Sequence, residues 1–414
     1  MQHQALITND ASVLGLLAIL LGLVFYTANS SNANWQKFYS IVPAVLLCYF
    51  LPSLLNTFGI INGEESNLYF VASRYLLPTC LVLLTLSVDL KSISGLGPKA
   101  IILFFTGTAG IVIGGPLALL IVSSFRPDLL GVEGPEAVWR GLTTVAGSWI
   151  GGGANQAAMK EIYGAGDKIF SAMITVDVIV ANLWMAVLLI MASNAKQIDA
   201  KSGADTSAIT RLKEKVETFQ TEHARIPVLN DLMIILAVGL GVTGFAHIFA
   251  DNITPYMVEN FPNLDRLSFH SKFFWMIIFS TSVGIALSFT PLRKLEGVGA
   301  SRVGSAMLYI LIVSIGMKMD ITMIFDAPIY FVIGMIWMLF HAGLMLFVAK
   351  LIKAPLFYMA VGSQANVGGA ASAPIVASAF HPSLAPVGVL LAVLGYTVGT
   401  VMAWFCGQIL QVVA

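Results

Sequence analysis

The sequence predicts an all-α polytopic membrane protein, built as two inverted repeats of five spans, each with a glycine-rich re-entrant hairpin or broken helix. Three observations carry this: composition, the length of the apolar runs, and an internal repeat. Hydrophobic residues fill 57% of the 414 positions and charged residues only 11%, against about 25% charged in an average soluble domain. Mean hydropathy is +0.85. The charges sit in short stretches between apolar runs of about 20 residues, the length that crosses a roughly 30 Å hydrocarbon layer at 1.5 Å rise per residue.

The formal net charge is 0, which leaves no electrostatic footprint for a nucleic-acid partner. The expected partners are membrane lipid and a small-molecule solute. Cys48, Cys80 and Cys406 lie far apart in apolar runs, without metal or disulfide spacing, and read as small core residues. No Lys or Arg precedes Lys37, so the first apolar run, 12–26, lacks the basic flank of a secretory signal and reads as a retained span.

Nine further apolar stretches follow: 38–58, 74–90, 98–124, 170–192, 229–250, 273–289, 304–319, 328–351 and 385–412. Two less apolar, glycine-rich segments, 141–163 and 356–379, read as hairpins. The polar stretch 193–230 reads as a cytoplasmic linker, with a short surface helix over 210–217, between a first transmembrane repeat (1–192) and a second (231–414). Pro98 and Pro328 each open a long apolar run. Gly147-Ser148-Trp149-Ile150-Gly151-Gly152-Gly153-Ala154-Asn155-Gln156 then pairs with Gly362-Ser363-Gln364-Ala365-Asn366-Val367-Gly368-Gly369 in the same order. Internal repeats of this kind mark secondary transporters.

Re-entrant hairpins leave an odd number of spans per half, so the second half is inverted. With the central linker in the cytoplasm, 14 of the 22 Lys and Arg fall inside, as the positive-inside rule requires. Six of the 14 come from that linker.

Irregular backbone at membrane depth is tolerated only where protein or a water-filled cavity shields it. Gly151-Gly152-Gly153 and Gly368-Gly369 break helices there, offering dipole ends to anions and free carbonyls to sodium. The flanking Ser148, Trp149, Asn155, Gln156, Ser363, Gln364 and Asn366 add neutral donors and acceptors, and with Gly152, Gly153 and Gly368 they form the expected substrate-binding set. Gly107, Gly110, Gly114 and Gly115 read as close helix packing. Asp177 lies about seven residues into a span with no basic neighbour in sequence. A carboxylate there calls for a compensating proton or cation, which makes Asp177 the candidate coupling-ion ligand, with sodium the candidate metal. Asn182 is the second candidate, although five residues of helix turn it about 140° away. His341 is mid-span and His247 near a span end; both read equally well as helix contacts. Asp89, Lys91, Lys318 and Asp320 sit at span ends, where snorkelling suffices. No nucleotide-binding P-loop, His-Glu-x-x-His, paired-cysteine or Gly-x-Ser-x-Gly motif occurs, so no enzyme activity and no cofactor beyond a sodium ion is expected.

At the glycine-rich segments the chain resembles, over nearly its whole length, the bacterial membrane family known as domain of unknown function 819. More distantly, its layout is similar to the glutamate:sodium and citrate:sodium symporters, whose inverted five-span repeats carry a Gly-Gly-x-Gly hairpin tip. Here Gly151-Gly152-Gly153-Ala154 keeps the first two glycines with the third shifted, and Gly368-Gly369 lacks the last. The resemblance implies the fold, a bacterial inner-membrane location, sodium coupling, and an elevator motion against a homodimeric scaffold. The expected function is sodium- or proton-coupled secondary transport of a small organic solute. The alternatives are a sodium/proton antiporter, and a membrane sensor or assembly factor acting through the central linker.

The charge bias makes a topological prediction. In a cysteine-free background, single cysteines at Ser30 and Ser202 are expected to react with an impermeant thiol reagent only from the cytoplasm, and one at Ala414 only from outside. Reaction of Ser202→Cys and Ala414→Cys from one side removes the inverted arrangement.

Overall fold

The computed structural model describes residues 5–39, 42, 44–63, 65–87, 95–204, 227–267, 269–318, 328–381 and 384–414. Among these no strand is found, and the chain is helical nearly throughout. The helices are α1 (Asp10–Ala28), α2 (Ala33–Tyr39), α3 (Ala44–Thr57), α4 (Leu68–Leu86), α5 (Pro98–Ser123), α6 (Val138–Tyr163), α7 (Asp167–Ser193) and α8 (Ala195–Ser202). The second half contributes α9 (Leu229–Asn260), α10 (Lys272–Ser288), α11 (Ala300–Gly316), α12 (Ile329–Leu351), α13 (Leu356–Val367), α14 (Gly369–Phe380) and α15 (Ala385–Val413).

Apolar helices occupy all ten expected span positions. Seven are long and apolar enough to cross a membrane: α1, α4, α5, α7, α9, α12 and α15. Three are shorter. The expected 38–58 span is divided between α2 and α3, α11 has 17 residues, and α10 is followed by Pro291–Val298 at 95° to it. Helix α9 continues to Asn260, beyond the apolar run, as a polar extension through Asp251 and Pro255. The expected surface helix at 210–217, with Asp89, Lys91 and Asp320, lies outside the described residues.

The helices pack as two groups. In one, α4 is central and touches α9, α10 and α11, while α3 and α1 pack on α11. In the other, α5 lies along α12, and α15 lies along α6 and α14, with α7 and α13 between them. Only 17% of α1 and 22% of α9 is covered, against 61% of α4 and α5, so α1 and α9 are peripheral and turn apolar surface outward. Close approach sets the α5–α12 contact: a Cβ on Gly107, Gly110, Gly114 or Gly115 would come within 3.2 Å of His341 or Trp337. Small residues bring helices together where dispersion, rather than water, drives association.

Prolines inside helices leave carbonyls without their helical partners, and at two of them a neighbouring helix supplies one. Pro78 has no N–H for the Arg74 carbonyl four residues back. Here the helix widens to a π-turn over Ala72–Leu76, and His247 Nε2 of α9 lies 2.9 Å from that oxygen. A carbonyl only accepts, so Nε2 carries the proton. Pro116 likewise frees the Val112 carbonyl, which faces the Cys406 thiol of α15 at 3.6 Å. This gives Cys406 a specific place in the core.

The His247 contact is testable. His247→Leu orphans the Arg74 carbonyl, so stability is expected to fall by about 1 kcal/mol, the worth of such a bond between membrane helices. Adding Pro78→Ala restores an N–H at position 78 and is expected to recover part of the loss. Thermal unfolding in detergent reads both; equal melting of His247→Leu and the wild type refutes the assignment.

Candidate functional site

Helix α6 is a hairpin. Gly152 has φ 74° and ψ −176°, a region open essentially to glycine alone. In a continuous helix Trp139 and Tyr163 would stand about 36 Å apart, yet their rings are 5.8 Å apart. Gly166 N–H donates to the Pro135 carbonyl at 2.7 Å, and the Arg140 guanidinium donates to the Tyr163 carbonyl. Both arms, 138–151 and 153–163, therefore start and end at one place. Midway, a Cβ on Gly147 would lie 2.6 Å from the Asn155 carbonyl oxygen.

Helices α13 and α14 form a second hairpin of the same kind. The break falls at Gly368 (φ −116°) and Gly369 (φ 57°). Phe357 and Phe380, at the open ends, have ring centroids 5.4 Å apart, where 23 residues of helix would span about 34 Å. Gln364 Nε2 donates across the hairpin to Ser372 Oγ at 2.7 Å. Asp199 of α8 caps the first arm, accepting from Leu356 N–H at 2.8 Å.

The two breaks meet. A Cβ on Gly369 would lie 3.9 Å from Gly152 Cα. Around them, Gly152 faces Tyr396 of α15 and Gly153 faces Leu308 of α11. Gly399 of α15 stands against Gly151 so closely that a Cβ would come 2.6 Å from the Gly151 Cα.

Most of the expected polar residues turn out to hold this arrangement together. Asp177, buried on α7, accepts from Trp149 Nε1 at 2.6 Å on one oxygen and from Gln156 Nε2 at 2.9 Å on the other. Trp149 is on the first arm of α6 and Gln156 on the second, so one carboxylate ties both arms. Ser148, beside Trp149, is buried on the same arm. Asn155 Nδ2 donates to the Gly151 carbonyl at 2.8 Å, and its Oδ1 accepts from Thr400 at 2.5 Å. Asn366 Nδ2 donates to the Phe104 and Gly362 carbonyls, both at 3.0 Å, and its Oδ1 accepts from Thr108 at 2.8 Å. Ser363 accepts from Trp184 Nε1 at 2.8 Å and lies 2.7 Å from His341 Nε2. His341 Nδ1 is 3.0 Å from the Gly107 carbonyl, so Nδ1 carries a proton and donates there. Gln364 is the exception: it is buried, and among the described residues its Oε1 has no partner.

Asn182 is not brought to Asp177. Its amide donates to the Val178 carbonyl of its own helix at 2.7 Å, on the other face, as the five-residue spacing requires. Among the described residues no three His, Cys, Asp or Glu side chains group together. Sequence reasoning missed Thr108, Thr400, Trp184 and Tyr396, whose residue types carry no signal until the helices are packed. It also missed the charged cluster of Arg74, Lys160, Glu161 and Asp167. Lys160-Glu161 is a charged pair at the end of a hairpin arm, a signal that was there to be read.

The tip geometry predicts a contrast between neighbouring glycines. Gly152→Ala is expected to cost about 1–3 kcal/mol, from the disallowed backbone region and a Cβ 3.2 Å from Tyr396. Gly153→Ala meets only Leu308 at 3.9 Å and is expected to stay within about 0.5 kcal/mol of wild type. Equal melting temperatures for the two variants overturn the hairpin tip.

Comparison with known proteins agrees with the membrane architecture. The uncharacterized membrane protein YjcL of Bacillus subtilis is 22% identical over 364 residues, covering 83% of this chain and 84% of that one. Together with seven helices fit to cross a bilayer, this makes the chain a multi-pass bacterial membrane protein. The family described as protein of unknown function (DUF819) matches residues 15–413, and the chain belongs to that family.

Proposed function

We propose that this protein is a cation-coupled secondary transporter of a small organic solute, with the solute bound where the two hairpin tips meet. The observation that carries the reading is the close approach of Gly369 to Gly152, where a Cβ on Gly369 would lie 3.9 Å from Gly152 Cα, two helix breaks from opposite halves of the chain. At such a junction the second arms offer helix N-termini to an anionic group and the first arms offer carbonyls to a cation. Gln364 Oε1, a buried acceptor without a partner among the described residues, adds a point of contact. An unpaired buried acceptor is costly and gains from a donor or a cation.

The order of elements supports two inverted repeats. Each half runs through three helices, a long helix, a hairpin, and a final long helix: α1, α3, α4, α5, α6, α7 against α9, α10, α11, α12, α13–α14, α15. On this reading the group holding both hairpins is the moving body, the other group is the scaffold of a homodimer, and the motion is of the elevator type. The coupling cation is sodium or a proton. Asp177, buried with both oxygens facing the hairpin, favours a second reading, a sodium/proton antiporter that needs no organic solute.

A thermal-shift screen of organic acids, amino acids and sugar derivatives, with and without sodium and across pH, tests the reading. A ligand at a hundred times its dissociation constant stabilises by about 2.7 kcal/mol. Asp177→Asn is expected to lower stability, because the new NH₂ opposes an N–H donor of Trp149 or Gln156, and to abolish the cation-dependent increment. The matched control Asp10→Asn, whose carboxylate accepts from Ser66 and Asn67 just before α4, keeps that increment. An increment that survives Asp177→Asn moves the coupling site elsewhere. No response of the wild type to any solute or cation removes the transport reading.

A further inference from the structure

The charged cluster at the open end of the first hairpin takes no part in the tip junction. Glu161, on the outgoing arm of α6, pairs with Arg74 of α4 at 2.7 Å and accepts from the Tyr69 hydroxyl of the same helix. The neighbouring Lys160 is buried, pairs with Asp167 of α7 at 2.6 Å, and lies 4.6 Å from the Tyr69 ring centroid. Lys160 and Asp167 both belong to the hairpin group. Arg74 and Tyr69 belong to the other group, so the links through Glu161 cross between the two.

Several features hold the α4 side of this contact in place. The π-turn lies at Ala72–Leu76 and includes Arg74, and His247 fixes the carbonyl that Pro78 leaves free. The Arg74 guanidinium also lies 4.5 Å from the Phe273 ring centroid of α10. A cation set on an aromatic face and a π-turn loses little further freedom on pairing. The crossing pair is neither sealed nor fully wet: the Arg74 side chain is 30% exposed and that of Glu161 13%. Water reaches the arginine when the pair parts, whereas a sealed pair would leave two desolvated charges. On the hairpin side, Lys160–Asp167 stays intact whichever way Glu161 goes.

We propose that Arg74, Tyr69 and Glu161 form an ionic latch that holds the hairpin group against the other helix group in the conformation described, and that it opens when the two groups slide. It rests on the proposed function only for its purpose; the contact and its opening can be measured without any solute. Breaking the latch shifts the resting equilibrium away from this conformation while leaving the fold intact.

A side chain at position 153 would face Leu308 of α11 in the other group, 3.9 Å from a Cβ there, so the pair 153–308 reports the register of the groups. In the full-length protein with Cys48, Cys80 and Cys406 replaced by alanine, Gly153→Cys and Leu308→Cys are treated with a short bifunctional methanethiosulfonate reagent. Arg74→Gln and Glu161→Gln are each expected to lower the cross-linking rate about fivefold, the shift a partly exposed pair can produce. The double variant should be no slower than either single one, and the exchange Arg74→Glu with Glu161→Arg should restore the rate. Arg126→Gln, which removes an ion pair within one loop, should leave it unchanged. Unchanged rates in both single variants overturn the latch. So does a loss that the charge exchange fails to restore, or one matched by loss of a monodisperse folded peak. If cross-linking responds while no solute or cation does, the latch stands and the transport reading falls; if transport is measured and cross-linking never responds, the latch alone falls.

Discussion

A helix broken inside an apolar body leaves backbone donors and acceptors without helical partners, and the rest of this structure is arranged around two such breaks. The cost of an unsatisfied amide in such surroundings is several kcal/mol. The response here is local. Asn155 donates to the Gly151 carbonyl and Asn366 to the Gly362 carbonyl, each four residues back along its own arm or across its own break. Both asparagine carbonyls are then held by threonines of the long helices beside them, Thr400 and Thr108. At the first break, the amide of Asn155 therefore supplies a partner that the broken helix lacks.

Helix α7 joins the two hairpins through one face. Asp177 takes donors from both arms of the first hairpin, and Trp184, two turns on, donates to Ser363 of the second. A carboxylate between two N–H donors holds its surroundings most firmly when ionised. Protonation turns one acceptor into a donor and sets it against Trp149 or Gln156. Its hydrogen bonds give Asp177 a structural task that is compatible with the proposed coupling; a group that both holds the hairpin and can take up a proton changes the hairpin when it does so. His341, fixed between the Gly107 carbonyl and Ser363, shows the other outcome, an ionisable side chain whose two nitrogens are already occupied.

Two kinds of contact hold the assembly. Within each helix group, close packing dominates, set by glycines such as those of α5 against Trp337 and by carbonyls that prolines release and neighbours claim. Between the groups, polar links are prominent: the Glu161 cluster at the base of the first hairpin, and the Trp404 indole donating to the Leu267 carbonyl at 3.1 Å. Charged and polar links of this sort are more readily exchanged for water than interlocked side chains, which suits a boundary across which movement is proposed.

The sequence by itself determined the helical membrane class, the positions of the apolar helices, and the two places where helices break, because hydropathy and glycine content act over short stretches of chain. It also singled out Asp177 by its isolation among apolar residues. Only the tertiary structure decided what these residues touch. That the two breaks meet, that Asn182 turns away from Asp177, that Gln364 Oε1 has no partner among the described residues, and that Arg74 reaches Glu161 all depend on contacts between residues far apart in sequence. Nothing in the local chemistry of an asparagine distinguishes one that caps a broken helix from one that binds a solute; the difference lies in whether packing has already given its amide a partner.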